Sequence, residues 1–329
     1  MDLLTAVFGH ALRSALGPEA AVYALAAIGL NVHYGYTGLL NFGQVGFMLV
    51  GAYGLAITVS TFGGPFWLGL IVGLLAAVLL ALLLGYPTMR LRADYFAITT
   101  IAAAEILRFL IRSRPATDLT GGVFGLQGFA RAFRDINPIT PGRYGFGVFT
   151  YTHIGLWSLL VTWTLALLAT LLVWKLIRSP WGRVVRSVRE DEDAARSLGK
   201  DVFSYKMQSV VLGGLLGGLA GIMFVTASNA VEVQAFLPQV TFFTYTILIL
   251  GGAASTVGPI VGAIIFWFLV SGIDAYLRAV SQAGLLPDFL VGINLGPIRF
   301  ALVGLGLMLL MIFRPQGMFG SKREISLGL

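Results

Sequence analysis

Apolar residues along this chain come in long blocks separated by short polar stretches. They do not follow the three-to-four-residue spacing of a helix with one wet face. A helix that crosses bilayer hydrocarbon needs roughly 20 apolar residues, since each adds about 1.5 Å of length. Measured this way, the blocks fall at 20–36, 39–60, 66–86, 95–111, 153–174, 207–227, 240–254, 259–277 and 297–313. The blocks at 20–36 and 240–254 are short, and those at 39–60 and 207–227 are rich in Gly. The pattern predicts an all-α polytopic membrane protein with about eight to ten transmembrane helices, some broken or short. Residues 1–329 read as a single transmembrane domain.

Two hydrophilic insertions interrupt the blocks. Residues 113–152 are rich in Gly and Pro and predict an ordered external loop. Residues 179–206 mix both charges and are free of Pro and Gly between Gly182 and Gly199, which predicts one or two short helices on the cytoplasmic face. The sides follow from cationic residues, which collect in cytoplasmic loops. Residues 175–206 hold eight Lys or Arg, and the tail carries Arg314, Lys322 and Arg323. Four crossings separate these two regions, so both can lie inside. Counting back puts Arg90 and Arg92 inside as well. The external loop carries Arg114, Arg131, Arg134 and Arg143, which a longer loop tolerates. Residues 1–16 are weakly apolar and lack the order of a signal peptide, so the first span is expected to direct insertion.

Composition supports lipid as the solvent. Of 329 residues, 57% are hydrophobic and 11% charged, against about 25% charged in soluble domains. The net charge of +7 fits loop asymmetry. No interleaving of aromatic and basic residues outside the blocks suggests nucleic acid. The absence of Cys excludes disulfides and thiolate chemistry, and His10, His33 and His153 are too scattered to predict a metal site. No cofactor, catalytic residue or enzymatic activity is expected, since the chain has no G-x-S-x-G or H-E-x-x-H and Glu105 and Asp274 stand far apart. It also lacks G-x-x-x-x-G-K-[ST], so any ATP hydrolysis must come from another subunit.

Four local patterns bear on packing and transport. Gly213, Gly217 and Gly221 share one helical stripe, which permits either close helix packing or a moving, pore-lining helix. The apolar runs break at Gly38–Gln44 and again between Gly251-Gly252 and Gly258-Pro259. Breaks at membrane depth belong where backbone is buried in protein or lines a cavity; ordinary turns between spans are the alternative. Glu105, Arg108 and Arg112 lie on one helix face, either as a polar face toward a pathway or as a local ion pair. Asp274 and Arg278 have the spacing of an i, i+4 pair.

The charged loop reads Ser179-Pro180-Trp181-Gly182-Arg183, then Ser187-Val188-Arg189-Glu190, then Asp193-Ala194-Ala195 with Gly199 four residues on. It resembles the cytoplasmic loop of permease subunits of high-affinity branched-chain amino acid ATP-binding cassette importers, the Liv-type, M-like branch. Asp193 stands where that family more often has Glu, and Ser187 where it has Ala. Gly35-Tyr36-Thr37-Gly38 with Gly43-Gln44 is similar to the family's first signature, with Asn41 in place of the commoner Ser. The segment Arg90–Thr100 with Glu105-Ile106-Leu107-Arg108, the run Thr120-Gly121-Gly122, the block Gly251–Gly262 and the terminal Arg314-Pro315-Gln316-Gly317 follow in the family's order. Ala93 departs from the usual Gly.

The resemblance implies a permease in the bacterial plasma or inner membrane, working with two cytoplasmic ATP-binding subunits. A second homologous permease and an external, periplasmic solute-binding protein complete the expected set. It implies that Gly182, Arg183, Arg189, Glu190, Asp193, Ala194, Ala195 and Gly199 form the element that couples to the ATPase. Ala194 and Ala195 would allow close approach, and Gly199 would end a helix in a left-handed cap. The expected solute is a branched-chain amino acid; urea or a short-chain amide is the alternative. Asn41, Gln44, Thr99, Thr100 and Glu105 are the candidate polar groups of an otherwise apolar pathway.

Overall fold

A computed structural model of the chain describes residues 3–89, 93–147, 149–282, 295–313 and 317–319. Each predicted span contains a helix. Helix α1 (Leu3–Ala15) precedes α2 (Pro18–Leu30), which runs on into a π-helical stretch at Asn31–Tyr36. Helix α3 (Gln44–Ala56) likewise ends in a π-helical stretch at Ile57–Thr61. Then come α4 (Phe66–Thr88) and α5 (Ala93–Arg112), and after a long connection α8 (His153–Arg178). The charged loop forms α9 (Pro180–Glu190) and α10 (Glu192–Ser197), and α11 (Val202–Ser228), α12 (Pro238–Gly251), α13 (Gly258–Gln282) and α14 (Leu295–Phe313) complete the bundle.

Five described helices are long and apolar enough to cross a membrane, and the pair Val7–Ala15 and Pro18–Tyr36, bent by 43°, makes a sixth. Pro238–Gly251 and Gly296–Gly306 are shorter apolar helices. Helix α5 carries Glu105, Arg108 and Arg112 among its apolar residues. The bend falls at Gly17-Pro18: Pro18 begins α2, where its missing N–H costs nothing.

Helix α11 is the centre of the molecule, with α2, α3 and α4 packed around it. The reason is its glycines. A Cβ at Gly213 would meet the carbonyl of Gly29 and the His33 ring, one at Gly217 would meet Gln44 and Phe47, and one at Gly221 would meet the Met48 backbone. Gly214 faces Phe47, and Gly218 faces Ala77 and Gly51. The stripe is therefore buried against α2 and α3, with Gly214 and Gly218 beside it against α3 and α4, which decides between its two readings in favour of close packing. Around this core, α8 and α13 flank α2, α12 packs on α13, and α1 lies along α13.

The bundle has two distinct ends. At one end, residues 113–152 hold the short helices α6 (Thr117–Thr120) and α7 (Arg131–Asp135) with strands β1 (Leu126–Gln127), β2 (Arg143–Phe146) and β3 (Phe149–Thr152). Strands β2 and β3 pair antiparallel, and β1 pairs with β4 (Ala230–Val231) just beyond α11. At the other end lie α9, α10 and both interruptions of the apolar runs. Arg90, Arg92, Arg314, Lys322 and Arg323 lie outside the described residues.

Candidate functional site

The first interruption is a turn that leaves α2 through its π-helical stretch and enters α3 at Gln44. Gly38 turns it with φ +76, a backbone conformation that glycine adopts without strain. Its polar side chains point inward. Asn41 Oδ1 accepts from Gly43 N at 2.9 Å, which fixes the amide orientation. Its Nδ2 then donates to His33 Nδ1 at 2.9 Å and to Gln44 Oε1 at 3.1 Å. With Nδ1 accepting, the neutral His33 carries its proton on Nε2, which donates to Val210 O at 3.1 Å on α11. Gln44 Nε2 faces the carbonyls of Ala26 and Gly213 at 3.3 and 3.4 Å. All three side chains are at most 1% exposed. Phe42 N donates to Thr100 Oγ1 at 3.1 Å on α5, and Val45 N to Thr241 Oγ1 at 3.0 Å on α12. One turn is thus tied to α2, α5, α11 and α12.

The second interruption, residues 252–257, is brought against the first by a side chain that the sequence did not single out. Asn31 Oδ1 accepts from Ala254 N at 2.9 Å, and its Nδ2 donates to Ser255 O at 2.8 Å. Ala254 has φ +59, so a non-glycine residue is held left-handed there. Gly35 permits the approach: a Cβ would run into Asn31 and the Ala254 nitrogen. The carbonyls of Leu250 and Gly251, left without helical partners at the end of α12, accept from Met318 N and Phe319 N at 3.0 Å each. Aromatic rings surround the junction: Tyr34 and Phe42 pack on Tyr245 at 5.5 and 5.0 Å, and Phe242 lies 5.9 Å from Phe42.

Helices α9 and α10 sit directly on this junction. Arg189 Nη1 donates to the carbonyl of Gly35 at 2.6 Å, and its stem covers Gly38. Trp181 Nε1 donates to Gln208 Oε1 at 2.8 Å, and Lys206 is ion-paired with Glu192, so α11 holds both short helices. Helix α9 buries Gly182, Val185 and Val188 on one face and exposes Arg183, Arg186 and Glu190 on the other. Gly182 has no room for a Cβ against the Ile177 backbone. Asp191 ends α9 and caps α10 by accepting from Ala194 N at 2.9 Å. Helix α10 ends in a Schellman motif: Lys200 N bonds Ala195 O at 3.2 Å, Gly199 N bonds Arg196 O at 2.9 Å, and Gly199 has φ +75. Asp201 caps α11, and its hydrogen bonds from Ser204 hold its carboxyl below the usual range.

The two alanines part company. Ala195 packs inside the loop against Val188 and Val202, whereas Ala194 is on the surface with Asp193 and Leu198, the last 78% exposed. Asp193 pairs with Arg196 at 3.0 Å. A cavity of about 250 Å³ separates the loop from the bundle, lined by Thr37, Thr88, Phe96, Arg189, Glu192 and Lys206 among others.

The remaining candidates lie on α5. Thr100 is buried against the first turn, whereas Thr99 is half-buried and bonds its own helix at Tyr95 O, 2.7 Å away. Glu105 takes a two-pronged bond from Arg108, at 2.9 and 2.7 Å; Arg112 is in no ion pair among the described residues. Asp274 pairs with Arg278 at 2.9 Å as its spacing predicts, and also with Arg299 on α14 at 3.0 Å, a partner that no local spacing reveals.

Residues 18–314 match the family described as "Branched-chain amino acid transport system / permease component". The chain is 32% identical over 314 residues to the high-affinity branched-chain amino acid transport permease LivM of Escherichia coli K12, covering 92% of this chain and 68% of that protein. It is 26% identical to the probable LivM of Methanocaldococcus jannaschii, with 93% and 92% covered. The nucleoside ABC transporter permease NupC of Lactococcus lactis is 27% identical over 71% of this chain and 73% of its own length. No solved structure matches the chain.

Proposed function

Since this chain belongs to the branched-chain amino acid transport permease family, we propose that it is the membrane-spanning subunit of an ATP-binding cassette importer for branched-chain amino acids. It is a permease component and not an enzyme. An external binding protein delivers solute at the β2–β3 end, and two ATP-binding subunits act at the α9–α10 end. A second, homologous permease completes the pathway. The observation that carries this reading is the Arg189–Gly35 hydrogen bond, which fastens the charged loop to the turn where both interrupted spans meet.

On this reading the coupling residues divide by position. Arg183, Glu190, Asp193 and Ala194 are exposed and face the ATPase, with Leu198 as an apolar contact beside them. Gly182, Ala195 and Gly199 shape the loop, and Arg189 passes its movement to Gly35. Asn31 then carries it to residues 254 and 255. The pathway candidates divide likewise. Asn41, Gln44 and Thr100 have their hydrogen bonds met inside this subunit, so they set the turn's shape. Thr99, Glu105 and the rings of Phe42 and Phe242 reach the surface that the second permease would cover. An apolar, aromatic surface suits an aliphatic side chain, with few polar groups to replace the water on its ammonium and carboxylate.

The test is uptake of labelled leucine and urea into vesicles that carry the chain with its partner permease, ATPases and binding protein. ATP-dependent leucine uptake is expected. Uptake without ATP would sink the primary-transport reading, and uptake of urea but not leucine would sink the solute assignment. Ala194→Arg, on the exposed face, should leave the chain in the membrane while separating ATP hydrolysis from uptake; normal uptake in that variant removes the docking role.

A further inference from the structure

At the β2–β3 end, the bend between α1 and α2 opens a cavity of about 600 Å³, within the range of small-ligand pockets. Its walls come from five parts of the fold: Arg13 of α1, Glu19 and Val22 of α2, Tyr151 of β3, Gly155 of α8 and Phe224 of α11. Its charges are one base and one acid. Among the described residues neither Arg13 nor Glu19 forms an ion pair, with each other or with any other side chain. The Arg13 guanidinium instead lies over the Tyr151 ring, 5.2 Å from its centre, and the Tyr151 hydroxyl donates to Arg13 O at 2.6 Å. The base is thereby held against the cavity wall by the hairpin.

Helix dipoles favour a cation at the end of α1 and an anion at the start of α2. They do not require both side chains to line one cavity with an apolar floor of Val22, Phe224 and Ala227 between the helices. The hydroxyls of the wall are already engaged: Ser14 meets Ser271 at 2.8 Å, Ser228 donates to backbone carbonyls, and Thr152 caps α8. What the cavity offers a ligand is therefore one carboxylate, one guanidinium and an apolar surface.

We propose that this cavity binds a zwitterion, with the ligand's ammonium on Glu19, its acidic group on Arg13 and an apolar body against Val22 and Phe224. It lies about 20 Å along α2 from the junction at Asn31, counting 1.5 Å for each residue, so it is separate from the transport site proposed above and does not depend on it. Two sources supply this chemistry at a membrane surface: a free amino acid with an aliphatic side chain, and the head of phosphatidylethanolamine with the start of its acyl chains.

The test uses the full chain in nanodiscs of phosphatidylglycerol, which has an acid but no ammonium. One arm titrates labelled leucine, with N-acetylleucine and leucinamide as analogues lacking one charge each. The other adds phosphatidylethanolamine and reads its retention by native mass spectrometry. At least one ligand should bind, and Glu19→Gln and Arg13→Gln should each weaken it about tenfold, as expected for loss of one charge-assisted contact. Binding of leucine identifies the free zwitterion, and retention of phosphatidylethanolamine the lipid. Arg278→Gln, which removes a charge that does not line the cavity, should bind as the unaltered chain does. Ligand-free melting of each variant separates loss of the site from loss of the fold. Absence of binding by both ligands, equal binding of the single-charge analogues, or binding untouched by both variants in folded protein would overturn the assignment.

Discussion

Asn31 illustrates how much can rest on one buried amide. It satisfies a backbone donor and a backbone acceptor more than 220 positions away in the chain, and is itself only 1% exposed. Removing it takes the side-chain partner from both half-buried groups, at a cost of up to about 1–3 kcal/mol for each one that water does not reach. Asn31→Ala should therefore lower the melting temperature of the purified chain and let labelled leucine cross the assembled transporter without ATP. Unchanged melting would mean that the two interruptions are held by other contacts. Asn31 was not among the residues singled out in sequence, because an Asn within an apolar run looks the same whether it meets solute, solvent or backbone. His33, Asn41 and Gln44 present the same ambiguity. There the directions of their hydrogen bonds decide that they bind each other and the backbone.

At the scale of elements, glycines with the same appearance in sequence have opposite roles. A Cβ at Gly51 would meet the backbone of Gly218, and backbone cannot turn aside as a side chain can. Gly51→Ala should separate α3 from α11 and cost about 1–3 kcal/mol or more. Gly304 on α14 has nothing within 4 Å of the added Cβ, so Gly304→Ala should be neutral or stabilise the isolated chain by about 0.5–1 kcal/mol through helix propensity. Melting of the two variants side by side checks both. Gly199 differs again: its φ of +75 closes the Schellman motif of α10. Gly199→Ala should cost roughly 1–2 kcal/mol locally, read as faster amide exchange at Lys200 with little change in global melting. The loop itself was legible because it mixes both charges and lacks Pro and Gly between Gly182 and Gly199. The burial of Ala195 beside an exposed Ala194 was not, since adjacent alanines carry no mark of which face they occupy.

For the whole molecule, the contact to probe is Arg189. It joins a loop made of charged helices to the backbone of an apolar bundle through a charge-assisted hydrogen bond. Such a bond is worth about 1.5–3 kcal/mol, so its loss can shift a two-state coupling by roughly tenfold or more. Arg189→Ala should leave ATP hydrolysis by the assembled complex in place while leucine uptake per ATP falls about tenfold. Arg189→Lys, which keeps one donor, should recover part of the ratio. Equal loss of hydrolysis and uptake would point instead to failed assembly.

Sequence by itself determined the solvent, the spans and the family. Long apolar blocks answer to lipid thickness, which is a local property of chain length, and motif order survives without any knowledge of contacts. The places where the spans break were also visible, since Gly and Pro act on their own backbone. Tertiary structure alone decided that the two breaks meet, that α11 is buried on three sides, that Arg299 joins Asp274 and that residues 318 and 319 cap α12. Each of these joins groups distant in the chain. In an apolar interior a polar group must find a partner, but sequence does not say which of the remote groups will be within reach.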